Sequence, residues 1–123
     1  MKKVLVVEDE QLIADLLQRK LRGAGYYAFV AGDGEAALQQ IRDERPDIVL
    51  LDIVLPRLNG FEVLAEMRKD EELQKIPVII ISNSGQQAEI EKAKEVGVRD
   101  WLVKTEFDPK EVLEKGQKQI GPA

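Results

Sequence analysis

Four short apolar runs, Val4–Val7, Ile48–Leu51, Val78–Ile81 and Trp101–Val103, constrain this chain more than any other feature. They are rich in β-branched residues and lack polar alternation. A strand with one wet face alternates apolar and polar side chains, so runs of this kind are expected to be covered on both faces. A fifth run, "YYAFVA" (26–31), is more aromatic and less regular. Between the runs lie segments with helical spacing. Leu12, Ile13, Leu16, Leu17 and Leu21 form one stripe, and Ala37, Leu38 and Ile41 another. Phe61, Leu64 and Met67 form a third, Ile90, Ala93 and Val96 a weaker fourth, and Val112 and Leu113 begin a fifth. Strand and helix thus alternate five times with short connections, which implies a parallel sheet with helices on both faces.

Local chemistry sets the boundaries. "NGFE" (59–62) offers Asn59 as a helix cap, with Glu62 placed to reach back, and "DPKE" (108–111) repeats the logic with Pro109 in the first turn. Ser84 and Gln87 are placed to do the same for the fourth helix. Gly23 and Gly25 end the first helix and Gly97 ends the fourth. No linker, repeat or low-complexity tract interrupts residues 1–123, so a single domain with no effector domain is expected. No apolar run approaches the roughly 20 residues of a membrane span, and the opening "MKKVLVVEDE" is too short for a signal peptide.

Composition removes several kinds of chemistry. There is no cysteine and no histidine, so disulfides, thiolate sites, Ser-His-Asp catalysis and His-ligated zinc are all excluded. With 23 acidic against 18 basic side chains and a net charge of −5, a basic nucleic-acid-binding surface is not expected. A cytoplasmic location fits the absence of cysteine. The remaining catalytic candidates are carboxylates, lysines and hydroxyls, with a hard metal ion as their natural companion.

The residues that follow each run carry the functional signal. The first run ends in Glu8-Asp9, the second in Asp52, the third in Ser82 and the last in Lys104. In a parallel sheet these ends share the edge where open α/β folds place ligands. The aromatic run ends in Ala31-Gly32 and contributes nothing comparable, so the second strand belongs at an edge of the sheet. The order 2-1-3-4-5 satisfies this, with a crevice between strands 1 and 3. Taken singly, each polar residue has a plainer reading as a helix cap, a turn residue or a solvated charge. Those readings do not explain why all of them share one edge. Clustered carboxylates resist ionisation unless a cation neutralises them, and oxygen-only ligands in a loose cleft suit Mg²⁺. A carboxylate is itself a nucleophile toward phosphorus, and Mg²⁺ with an ammonium offsets the charge on a transferring phosphoryl group. A nearby hydroxyl can donate to a phosphate oxygen and move toward it.

As a set, "VLVVEDE" (4–10), "DIVLLDIVLPRLNGFEVL" (47–64), "VIIISNS" (78–84) and "DWLVK" (100–104) resemble the CheY-like receiver domain of two-component response regulators over essentially the whole chain. The resemblance implies a flavodoxin-like (βα)5 three-layer sandwich, and 2-1-3-4-5 is also the family's strand order. It implies that Asp52 is the phosphoacceptor, that Asp9 ligates Mg²⁺ directly with Glu8 acting through water, and that the Val54 carbonyl is a further ligand. Lys104 would bond the phosphoryl group, Ser82 would be the switch hydroxyl, and the Asn83 N–H would help hold the phosphate. Trp101 falls at the switch aromatic, where a plain core role is an equal reading. Val54 and Ser84 occupy positions that tune dephosphorylation, and because valine cannot position a water, a long-lived phosphoryl group is expected.

Two departures from the family pattern stand out. Glu8 replaces the commoner Asp, and Lys104-Thr105 stands where a cis Lys-Pro is usual. A cis bond is still expected there, although before a non-proline it costs about 3–4 kcal/mol. With a single domain expected over residues 1–123, the reading is a stand-alone regulator, and the resemblance implies that it is not an enzyme in its own right but assists its own phosphotransfer and dephosphorylation. A sensor histidine kinase or phosphotransfer protein would donate to Asp52. Output would run through the fourth helix, fifth strand and fifth helix to a protein target, with homodimerisation on phosphorylation. The alternative is a pseudo-receiver that acts as an interaction module without phosphorylation.

Other readings fit less well. "AGDGEAAL" (31–38) contains G-x-G-x-x-A, a dinucleotide-binding pattern, but it follows the second strand and leaves Glu8, Ser82 and Lys104 unexplained. No hydroxyl-rich phosphate loop for FMN follows the first strand. Val54 stands where a haloacid-dehalogenase-type phosphatase would need a second Asp.

Overall fold

The computed structural model describes residues 2–82, 87–95, 97–98, 100–103 and 109–121. Its elements run β1 Lys3–Val7, α1 Gln11–Gly23, β2 Tyr27–Ala31, α2 Gly34–Glu44, β3 Ile48–Asp52, α3 Gly60–Arg68, a 3-10 turn at Leu73–Lys75, β4 Val78–Ser82, α4 Gln87–Glu95, β5 Asp100–Val103 and α5 Pro109–Ile120. The sheet order is β2-β1-β3-β4-β5, and every pairing is parallel. This is the five-stranded doubly wound sandwich that the apolar runs imply.

Alternate side chains along each strand feed two cores. On one face Leu5, Val7, Val49, Leu51 and Ile80 pack with α2 and α3 residues such as Ile41 and Leu64. On the other, Val4, Val6, Ile48, Leu50 and Ile79 pack with Leu17 and Leu21 of α1 and Val112 of α5. Every residue of β3 and β4 is buried. In β5 only Leu102 is buried, and Trp101 and Val103 stay half-exposed. The expectation of cover on both faces therefore holds for the central strands and weakens at β5, which has a neighbour on one side only.

The α1 stripe also needs correction. Its buried residues are Ala14, Leu17 and Leu21, whereas Leu12 is 86% and Leu16 51% exposed. Two apolar rows run along this helix, and only one faces the sheet.

The described ends of α3 and α4 follow the sequence signals, while the caps expected at Ser84 and Asp108 lie outside the described residues. Asn59 Oδ1 accepts the Glu62 N–H at 2.9 Å and Glu62 Oε1 accepts the Asn59 N–H at 3.1 Å, a complete capping box. Gly97, at φ +89°, closes α4. The outer edge of β2 is closed by side chains: Gln18 Nε2 and Arg22 Nε donate to the Ala28 carbonyl at 3.1 and 3.2 Å, and Gln40 Nε2 to that of Val30 at 3.2 Å. Such cover blunts an edge that can otherwise recruit another strand.

Candidate functional site

Strand register builds the site. Val7 lies opposite Leu51 across the β1–β3 pair, so Glu8 and Asp52 emerge side by side at the C-terminal edge of the sheet. Asp52 pairs with Ile81, which sets Ser82 one step beyond on the next strand. Among the described residues, the only buried polar or charged side chains are Glu8, Asp52 and Ser82, each at most 3% exposed. Burial of a polar or ionisable group is unfavourable unless hydrogen bonds or counter-charges support it, so two carboxylates and a hydroxyl buried at one edge mark a candidate site. Asp9 lies beside them and is exposed.

One carboxylate oxygen each from Glu8, Asp9 and Asp52 lies within 4.8 Å of the other two. This all-oxygen donor set, with Glu8 and Asp52 buried and Asp9 exposed, fits a hard divalent cation that keeps part of its water. Local hydrogen bonds aim the side chains. Asp52 Oδ1 accepts the Val54 N–H at 3.2 Å, and Glu8 Oε2 accepts the Glu10 N–H at 3.2 Å. The loop leaving Asp52 folds back at once, the Gly60 N–H donating to the Ile53 carbonyl at 2.8 Å. A Cβ at Gly60 would lie 2.6 Å from the Asp52 carbonyl oxygen and 2.8 Å from Ile53 Cα, so only glycine permits this return. Val54 itself is 71% exposed beside the carboxylates.

Trp101 stands next to Ile80 on β5, away from the carboxylates. It lines a groove of about 210 Å³ with Ile90, Ala93, Lys94, Val98 and Asp100. Asp100 is held by Lys115 of α5 at 2.9 Å, and this bond raises the Lys115 pKa above its ordinary 10.5. Asn83, Ser84, Lys104 and the Lys104-Thr105 peptide bond lie outside the described residues. Of the expected site, the structure therefore brings together Glu8, Asp9 and Asp52, with Ser82 and the Val54 backbone at the same edge.

The G-x-G-x-x-A pattern finds a different use. Gly34 starts α2 and is buried against the loop after Asp52, where a Cβ would meet the Leu58 carbonyl oxygen at 2.1 Å. Its glycine is a packing requirement that reading along the sequence missed. The same reading missed Arg57, which adopts φ +69° in that loop.

Residues 4–117 match the family model of the response regulator receiver domain. A probable transcriptional regulator, ycf27, of Guillardia theta is 41% identical over 89% of this chain, and the match spans 42% of that protein. Other curated relatives are likewise matched over less than half their length. Among solved structures, chemotaxis protein CheY4 of Vibrio cholerae superposes with a TM-score of 0.89 at 30% identity, covering 97% of this chain and 98% of that one. The receiver domain of sensor histidine kinase PA1611 from Pseudomonas aeruginosa, solved with a magnesium ion in its active-site cleft, gives 0.87 at 29% identity and 98% cover of both chains.

Proposed function

Because this chain belongs to the response regulator receiver family, we propose that it accepts a phosphoryl group on Asp52 from a sensor histidine kinase or phosphotransfer protein, in a Mg²⁺-dependent reaction. The observation that carries this reading is the buried Asp52 carboxylate with Glu8 and Asp9 oxygens within 4.8 Å. That donor set suits Mg²⁺, and the magnesium-bound PA1611 receiver supports the same choice.

Asp9, Asp52 and the Val54 carbonyl would hold the ion, with Glu8 adding charge through water. Once bound, Mg²⁺ neutralises charge on the incoming phosphoryl oxygens. Asp52 supplies the nucleophile. A carboxylate oxygen attacks phosphorus, the bond from phosphorus to the donor nitrogen breaks, and the donor imidazole keeps that electron pair. The Val54 N–H, already bonded to Asp52 Oδ1 at 3.2 Å, orients the carboxylate for attack. Burial of Asp52 keeps bulk water from its other face. Ser82 would donate its hydroxyl to a phosphoryl oxygen, with Lys104 and the Asn83 N–H completing the oxygen contacts.

The domain is not an enzyme acting on a separate substrate; it assists its own phosphotransfer and dephosphorylation. Movement of Ser82 would free Trp101 to repack in its groove beside α4, shifting a pre-existing equilibrium. The face formed by α4, β5 and α5 would present the result to a protein target or to a second copy. No described helix is long and apolar enough to cross a membrane, and a cytoplasmic setting suits such a donor.

Purified protein incubated with acetyl phosphate and Mg²⁺ should gain the mass of one phosphoryl group. The gain should disappear in EDTA and in Asp52→Asn. If neither acetyl phosphate nor any histidine kinase of the host phosphorylates the wild type, the pseudo-receiver reading replaces this one.

A further inference from the structure

The loop that follows Asp52 is built around a strained turn. Arg57 has φ +69°, in the left-handed region that non-glycine residues seldom occupy. The Leu58 N–H donates to the Pro56 carbonyl across it at 2.9 Å. A positive φ spanned by an i to i+2 bond is the signature of a γ-turn, a rare and strained form. Strain of this kind persists only where surrounding structure holds it. The same loop carries Val54, whose backbone bonds Asp52.

The holding contacts come from the start of α2. The Gly34 N–H points at the Pro56 carbonyl at 3.4 Å. With no side chain at Gly34, Leu58 closes to where a Cβ would be 2.1 Å from its carbonyl oxygen and 2.5 Å from its own Cβ. Arg57 then reaches over the helix start, its Nε 3.8 Å from Asp33 Oδ2 and its Nη1 3.4 Å from Glu35 Oε2. Asp33 acts twice, because its Oδ1 also caps α2 through the Ala36 N–H at 2.8 Å. One carboxylate thus fixes both the helix start and the loop.

We propose that Asp33, Gly34 and Glu35 form a positioning latch for the phosphoacceptor loop. They hold the turn at Arg57, and with it the Val54 backbone, in the geometry that binds Mg²⁺ and receives phosphate. None of these residues belongs to the acid cluster. The latch deepens the receiver reading and rests on it.

Mg²⁺ affinity measured by calorimetry on the metal alone, set beside the thermal midpoint in EDTA, separates positioning from mere stability. Gly34→Ala pushes Leu58 away and should weaken Mg²⁺ binding about tenfold or more, in the range of substitutions behind metal ligands. Arg57→Gly removes both ion pairs yet suits the left-handed turn. It should weaken Mg²⁺ binding about threefold, the scale of two exposed ion pairs, while the midpoint in EDTA stays level or rises. Arg57→Lys keeps a cation within reach of Asp33 and Glu35 and should recover most of that loss. Phosphorylation by acetyl phosphate at subsaturating Mg²⁺ should follow the same order. Should Gly34→Ala fail to fold, Arg57→Gly and Arg57→Lys decide the matter. Variants that bind Mg²⁺ as tightly as a binding-competent wild type overturn the latch alone. A wild type that takes up neither Mg²⁺ nor phosphate overturns the receiver reading and the latch with it.

Discussion

Asp9→Asn should make the metal-free protein more stable and nearly indifferent to Mg²⁺. Oxygens of Glu8, Asp9 and Asp52 lie within 4.8 Å of one another. Two unit charges that close repel by about 0.9 kcal/mol in a water-like dielectric and about 3.5 kcal/mol at an effective constant near 20. Asp9 is exposed, so the lower figure applies, and its two pairs contribute about 2 kcal/mol. Against this stands the position of Asp9 just before α1, whose N-cap Glu10 makes no side-chain capping bond. Losing a negative charge there costs about 0.3–1 kcal/mol. The balance favours Asn by about 1–1.5 kcal/mol, or roughly 4–6 °C in midpoint for a domain of this size. Added Mg²⁺ stabilises the wild type by RT ln(1 + [Mg²⁺]/Kd), which overtakes that margin at about 4–12 times Kd. Urea unfolding in EDTA and across a Mg²⁺ series, followed through the single tryptophan, reads both effects. The order of stabilities should invert along the series. An Asn variant no more stable than wild type in EDTA, or equal Mg²⁺ stabilisation of the two proteins, would refute the metal cluster.

Two further outcomes follow from the geometry. Gly60→Ala places a Cβ 2.6 Å from the Asp52 carbonyl oxygen, so it should cost about 1–3 kcal/mol in urea unfolding and slow phosphorylation; an unchanged midpoint would show that the loop yields freely. Asp70 accepts the N–H groups of Leu73 and Glu72 at 3.2 and 2.8 Å, and these bonds hold its pKa below the ordinary 3.8. Its contribution to stability is therefore present above the unfolded-state value and is lost as pH falls through the lower folded one. Asp70→Ala should be less stable than wild type at neutral pH and converge with it in strong acid, and a gap that persists there would sink this account.

The strand order was legible because the chemistry at the run ends, not the runs themselves, distinguishes the strands. Glu8-Asp9, Asp52 and Ser82 follow three runs, and parallel pairing carries them to one edge. The stripe on α1 was less legible. Leucines at 12 and 16 form a row as regular as the one through Ile13, Leu17 and Leu21, and apolar identity does not say which row meets the sheet. The extent of cover on β5 was hidden too, since an edge strand and a central strand have the same residue types. Gly34 and Arg57 were the least legible. Nothing local to Gly34 requires a glycine; the requirement comes from Leu58, which arrives from a distant segment. Nothing in "PRLN" signals a positive φ at Arg57.

These two hidden features bear on how the legible site works. Asp52 sits at the end of a strand whose every residue is buried, so its backbone has little freedom to adjust to an ion or a phosphate. Adjustment falls to the loop beyond it. That loop is pinned twice by missing side chains, at Gly60 against the Asp52 carbonyl and at Gly34 against Leu58. On the proposed reading the acids supply charge, but charge alone would not fix where the Val54 carbonyl stands, and a ligand displaced by an ångström would forfeit much of its value to a small cation that demands regular geometry. A chain with all three acids and a bulkier residue at position 34 would keep the signature of the site and lose its poise. On the proposed reading the start of α2 belongs with Asp52 as one unit, although the sequence separates them.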